Sequence, residues 1–161
     1  MLLLKKLLNF GATLEEMVHC WTVYCRSRLE QSAVVWAGTL SQENKDDLER
    51  TQKSFAKLVL QKQYKDCDEN AYENALLRLN LQSLEERRKE LCLNFANNCI
   101  KNGILNDHFK ENTNKHEMNT RNPEKYEVLF ANNDRMRKSS IVFMQQLLLI
   151  IQEHEKQDNG R

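Results

Sequence analysis

The sequence predicts an all-α fold, an irregular bundle of five to six helices with an extended polar segment before the last one. Three observations carry that expectation. One Pro and four Gly in 161 residues leave few places where a helix must stop. Apolar residues recur at three- and four-residue steps rather than alternating, the period of a helix face and not of a strand. Two segments, Thr13-Leu14-Glu15-Glu16 and Ser83-Leu84-Glu85-Glu86, are capping boxes, in which a hydroxyl and a glutamate reciprocally satisfy orphan N–H groups.

Each element follows from local signals. Leu3, Leu4, Leu7, Leu8 and Phe10 form an apolar stripe that Gly11 ends. From the first box, Leu14, Met17, Val18, Trp21, Cys25, Leu29, Ser32 and Trp36 continue at helical steps, predicting one long amphipathic helix closed by Gly38-Thr39. A third helix is expected from near Ser41, with Leu48, Phe55, Ala56, Val59 and Leu60 on one side. A shorter one carries Tyr72, Ala75, Leu76 and Leu79. The second box opens a helix through Leu84, Leu91, Cys92, Phe95, Ala96, Cys99 and Ile100, with Gly103 placed as a left-handed C-terminal cap.

The composition then changes. Asn106 to Arg121 is rich in Asn, Lys, Glu and His, which reads as an exposed loop or extended arm, and Lys125 to Ala131 as a short extended segment. Ser139 or Ser140 caps a last helix carrying Ile141, Val142, Met144, Leu147, Leu148 and Ile151. The expected organisation is a helical domain over 1–103, a polar loop or arm over 104–138 and a C-terminal helix over 139–156. Trp21, Cys25, Leu29, Trp36, Phe55, Leu84, Leu91 and Phe95 are expected to share one core.

Several function classes are disfavoured. The longest apolar run, Leu147 to Ile151, is far short of the roughly 20 residues that span a bilayer, and Lys5 and Lys6 break the N-terminal leucines before they form a signal-peptide core. An intracellular protein without a membrane partner is expected. The odd set of cysteines, Cys20, Cys25, Cys67, Cys92 and Cys99, contains no C-x-x-C and suits reduced thiols. With His108 and His116, Cys92 and Cys99 lack the close ligand pairs of a zinc site, so no metal or cofactor is expected. Asp46-Asp47 lies early in a helix, where acids complement the macrodipole. No phosphate-binding loop, nucleophile elbow or zinc-protease motif appears, and no catalytic residue is nominated.

Three polar residues fall where the helical wheel wants apolar ones: Arg28 beside Trp21 and Val35, Gln52 between Leu48 and Phe55, and Arg88 between Leu84 and Phe95. A guanidinium removed from water needs a partner, for which Glu30, Glu49 and Glu85 are in sequence reach. The alternative is a forked contact to a ligand phosphate. The net charge of +1 supplies no global attraction to nucleic acid, so binding would rest on local clusters such as Lys53/Lys57 and Arg87-Arg88-Lys89.

A set of segments in fixed order carries a family resemblance. Leu7-Leu8-Asn9-Phe10-Gly11-Ala12-Thr13 is followed by Trp21-Thr22-Val23-Tyr24-Cys25-Arg26-Ser27-Arg28-Leu29-Glu30 and Val34-Val35-Trp36. Leu48-Glu49-Arg50-Thr51-Gln52-Lys53 and Leu79-Asn80-Leu81-Gln82-Ser83-Leu84-Glu85-Glu86-Arg87-Arg88 come next. Together, over about 7–102, they resemble the region downstream of the catalytic palm in non-LTR (LINE, jockey-like) retrotransposon reverse transcriptases. Met118-Asn119-Thr120-Arg121 and Lys125-Tyr126 are similar to the endings of such polyproteins.

The resemblance implies a helical thumb and its extension, which in the family helps hold the template–primer duplex. The family's metal-binding palm aspartates have no counterpart here, since Asp46-Asp47 follows Asn44-Lys45 inside an expected helix. What is expected is therefore a truncated or remnant fragment without palm or fingers and without polymerase activity. Its activity would be weak, sequence-independent binding to an RNA or DNA backbone through Lys53, Lys57, Arg87 and Lys89. The competing expectation is a helical protein-interaction module, or self-association through residues 2–10.

Overall fold

The computed structural model describes residues 2–64, 70–105, 107–109, 129 and 133–159, with the backbone alone at 62 and 152–159. The chain is all-α, and no strand occurs among the described residues. Its elements are α1 (Leu2–Asn9), α2 (Leu14–Cys20), a π-helical stretch (Trp21–Arg26) running directly into α3 (Ser27–Glu30), α4 (Ala33–Trp36), α5 (Gln42–Leu60), α6 (Ala71–Leu79), α7 (Leu84–Asn102), α8 (Asp134–Arg137) and α9 (Ser140–Asn159). Short 3₁₀ turns follow α4 and α5.

Both capping boxes form. Thr13 Oγ1 accepts from Glu16 N at 3.3 Å while the Glu16 carboxylate takes Thr13 N at 2.8 Å. At α7, Ser83 Oγ accepts from Glu86 N at 3.1 Å and Glu86 Oε2 takes Ser83 N at 3.3 Å. Ser41 caps α5 by accepting from Asn44 N at 3.2 Å. Three helices close with the same paired 6→1 and 5→2 bonds around a left-handed residue, Gly11, Asn80 and Gly103, at φ 87°, 51° and 67°.

The single long helix expected from Leu14 to Trp36 is where the fold departs most. Ser27 N donates to Thr22 O, five residues back, and the helix widens through Trp21–Arg26. A π turn holds more residues than an α turn, so every later side chain is rotated off the wheel projected from Trp21. Arg28 is accordingly exposed, and Arg26 is the arginine buried in this stretch. The helix ends at Glu30, because Ser32 adopts a left-handed conformation at φ 55°. Val34, Val35 and Trp36 belong to the separate α4.

Packing groups the residues into two units, Met1–Gln31 with Ser41–Arg88, and Ser32–Leu40 with Lys89–Arg161. Neither coincides with the expected break at 103. The arm over 104–138 falls mostly outside the described residues, as do Cys67, His116, the Met118–Arg121 motif and Lys125–Tyr126. Of the part described, Phe109 is buried and 134–137 is helical.

The first unit packs Leu4, Met17, Trp21, Phe55, Ala56, Leu60, Ala75 and Leu79, with Cys25 and Leu29 partly buried against them. The Trp21 and Phe55 rings stack with centroids 4.5 Å apart. The second unit packs Ala37, Cys92, Ala96, Cys99, Phe109, Met144, Leu147 and Leu148. One shared core is therefore corrected to two. Phe95 enters neither, being 39% exposed, and Leu91 and Trp36 are only half-buried. On α7 the buried positions are Leu84, Arg88, Cys92, Ala96 and Cys99, so from Cys92 onward the small residues rather than the large ones face inward.

Candidate nucleic-acid interface

The four nominated residues divide between the units, with Lys53, Lys57 and Arg87 in the first and Lys89 in the second. Lys53 and Lys57 sit one turn apart on the outer side of α5, whose inner side buries Gln52, Phe55, Ala56 and Leu60. Both are exposed, and the Lys57 ammonium stands 5.4 Å from the centre of the Tyr64 ring.

The rotation of α5 is fixed by a polar network as well as by its apolar side. Gln52, fully buried, donates to Gln82 O at 2.8 Å and to the Tyr72 hydroxyl at 3.2 Å. Tyr72 in turn donates to Glu49 Oε1 at 2.5 Å, and the Glu49 carboxylate also takes Leu84 N, at the start of α7, at 3.1 and 3.2 Å. One carboxylate thus ties α5, α6 and the first turn of α7 together. Burial pushes the Tyr72 hydroxyl up from its ordinary value, reinforced by its hydrogen bond to Glu49 and the charge on that carboxylate. Gln52 was conspicuous in the sequence as a polar residue on an apolar side. Its partners were not, because they lie 20 and 30 residues away.

Arg87 is held differently. Its Nε lies 3.4 Å from Glu30 Oε1, and the same oxygen takes Arg26 Nε at 2.6 Å. Two guanidiniums thus share one carboxylate, and Arg87 is partly buried beside it. Arg26 escaped the sequence reading because the π stretch moves it inward; the only signal for it was the i,i+4 spacing to Glu30. Arg88 is buried, as its place on the wheel suggests, and its Nη2 has no hydrogen-bond partner among the described residues. Lys89 is exposed. Asp46 and Asp47 accept from Gln42 and Arg50 along α5, at 2.9 and 2.6 Å, as helix-supporting acids do.

No group of three or more His, Cys, Asp or Glu that could hold a metal occurs among the described residues. No described helix is long and apolar enough to cross a membrane. Comparison with known proteins yields no matching family model, curated protein or solved structure.

Proposed function

We propose that the chain is a helical, thumb-like segment of the reverse-transcriptase type, non-catalytic by itself, that binds nucleic-acid backbone weakly and without regard to sequence. The observation that carries this reading is the outer side of α5. There Lys53 and Lys57 stand exposed one turn apart, on a helix whose rotation is fixed by a buried core and the Glu49–Tyr72–Gln52 network. Ammonium groups carried on a helix of fixed rotation suit phosphates, which carry no base information. Arg87, whose guanidinium lies beside Glu30, is a further basic residue of the same unit. The ordered resemblance over 7–102 supports the same assignment.

A fluorescence-anisotropy titration of duplex DNA and of RNA across a salt series tests it. The expected affinity lies in the nonspecific range, about 10⁻⁴ to 10⁻⁶ M, and falls as salt rises. Each lost contact should flatten the slope on duplex DNA by about 0.9. Changing Lys53, Lys57, Arg87 and Lys89 to Gln should flatten it without unfolding the protein. Absence of binding at low salt, or binding unmoved by the quadruple change, would overturn the reading. One observation favours a protein-interaction module instead: Leu2, Leu3 and Phe10 are 78%, 69% and 87% exposed on α1 and at its end.

A further inference from the structure

Two surfaces of the first unit have opposite character. The first is the outer side of α1. Leu4 is buried and Leu7 and Leu8 pack against the core, so the N-terminal stripe does fold back onto its own unit. That leaves Leu2, Leu3, Lys5, Lys6 and Phe10 facing outward, and neither lysine has an ion-pair partner among the described residues. The surface is apolar and cationic at once.

The second surface is an open groove of about 470 Å³ between α6 and the first turn of α7. Leu76, Leu77 and Leu81 supply its apolar part, with Leu77 79% exposed. Its rim carries Glu49, Glu73, Glu85 and Glu86, and no Lys or Arg lines it among the described residues. Glu49 and Glu86 have fixed tasks, the first holding Tyr72 and the start of α7, the second closing the capping box. Glu73 is exposed and makes no hydrogen bond or ion pair among the described residues. Leucines flanked by carboxylates favour an occupant that brings apolar side chains and positive charge together.

We infer that this groove receives α1 of a second copy of the chain, Lys5 and Lys6 lying against Glu73 and Glu85 while Leu2, Leu3 or Phe10 covers Leu77. The two surfaces match in hydropathy and oppose in charge, and the same chain carries both. Because the contact joins two different surfaces head to tail, each pair still offers one free α1, on one copy, and one free groove, on the other. Assembly then proceeds with concentration and does not stop at a symmetric dimer. The contact is independent of the nucleic-acid reading, since Lys53 and Lys57 take no part in it.

Sedimentation velocity without nucleic acid, from about 10 µM to about 1 mM in low salt, reads the association directly. The wild-type chain should self-associate, and added salt should weaken it. K5E/K6E and E73K/E85K should each weaken it at least about tenfold, the change that about 1.4 kcal/mol produces. Mixing the two charge-reversed variants should restore association, because each α1 then meets a groove of opposite sign. L77S, at an exposed position, should weaken association while leaving the helical circular-dichroism signal intact, which keeps the test decisive if E73K/E85K disturbs the start of α7. K53Q/K57Q should leave association unchanged. A wild-type chain that stays monomeric throughout overturns the inference. So does association that survives K5E/K6E, or a mixture that fails to recover it.

Discussion

The first unit is centred on stacked aromatic rings, whereas the second is centred on small side chains, sulfur and leucine. In the first, Trp21 and Phe55 lie 4.5 Å apart, and the buried polar residue beside them, Gln52, spans to α6 and to the Gln82 carbonyl. In the second, Ala37, Cys92, Ala96 and Cys99 let the backbones come close, and the turn at Gly38 sits against α9. Large rings fill space between helices that stay apart, so such a core is sensitive to losing volume. Small residues permit close approach, so that core is sensitive to gaining it. The contrast extends to buried glutamines. Gln145 in the second unit bridges the His108 carbonyl and Leu129 N, fastening a loop, while Gln52 fastens helices.

The largest effect expected from this contrast is at Phe55. Phe55→Ala removes one partner of the stack at a fully buried position, and the loss should be about 3–5 kcal/mol in a denaturant melt. A loss below about 1 kcal/mol would mean that the aromatic core does not hold the first unit. The opposite experiment belongs to the second unit. A Cβ at Gly38 would meet the Lys138 carbonyl oxygen at 2.9 Å, Phe143 Cβ at 3.0 Å and the Ser139 carbonyl oxygen at 3.1 Å. Two of the three are backbone atoms that cannot swing away, so Gly38→Ala should cost about 1–3 kcal/mol as overpacking does. Unchanged stability would show that the approach of this turn to α9 is slack.

Next in size is the Glu49–Tyr72 bond. Tyr72→Phe deletes a hydrogen bond to a carboxylate and removes an acceptor from Gln52, and because Tyr72 is only partly buried the expected loss is about 1–2 kcal/mol. The pH dependence has a definite sign. A tyrosine whose value is raised on folding contributes stability that is whole below its ordinary value of 10.0 and is lost as pH rises beyond it. Wild type should therefore lose stability above pH 10 faster than Tyr72→Phe does. Parallel melts between pH 8 and 11 would detect this, and identical slopes would count against the network.

Helix ends were readable in the sequence because their chemistry is local: Thr13 with Glu16, Ser83 with Glu86, Ser41, Gly11 and Gly103 all act within a few residues of themselves. The inward positions of Cys92 and Cys99 were readable from type and spacing. The rotation after Trp21 was not, since a π turn shifts the register without any residue that announces it, and Arg28 was placed where Arg26 belongs. Nor was the stop at Ser32, a left-handed conformation at a residue that rarely adopts one. The candidate site was legible at Lys53 and Lys57, which any wheel of α5 puts outside. Arg87 was legible only as a charge, because Glu30 lies 57 positions earlier in the chain, and Glu49's double role depends on Tyr72 and Leu84 arriving from two other helices.

The smallest expected effect separates the two phenylalanines on which the comparison turns. Beyond its midpoint α7 is apolar over much of its circumference, with Leu93, Phe95, Ala96, Cys99 and Ile100, so periodicity alone favours the bulkiest as the core residue. The second unit instead buries Ala96 and Cys99, leaving Phe95 39% exposed. Burial energy scales with apolar area removed from water, at about 25 cal/mol per Å², so a half-exposed ring outside both cores contributes little. Helix propensity works the other way, since Ala exceeds Phe at an exposed helical site by about 0.5 kcal/mol. Phe95→Ala should therefore change stability by less than about 1 kcal/mol, against the 3–5 kcal/mol expected for Phe55→Ala. Both variants measured in one denaturant series would test the assignment of the inward side of α7. Equal losses would mean that Phe95 is buried and that the second core is built on its large residues.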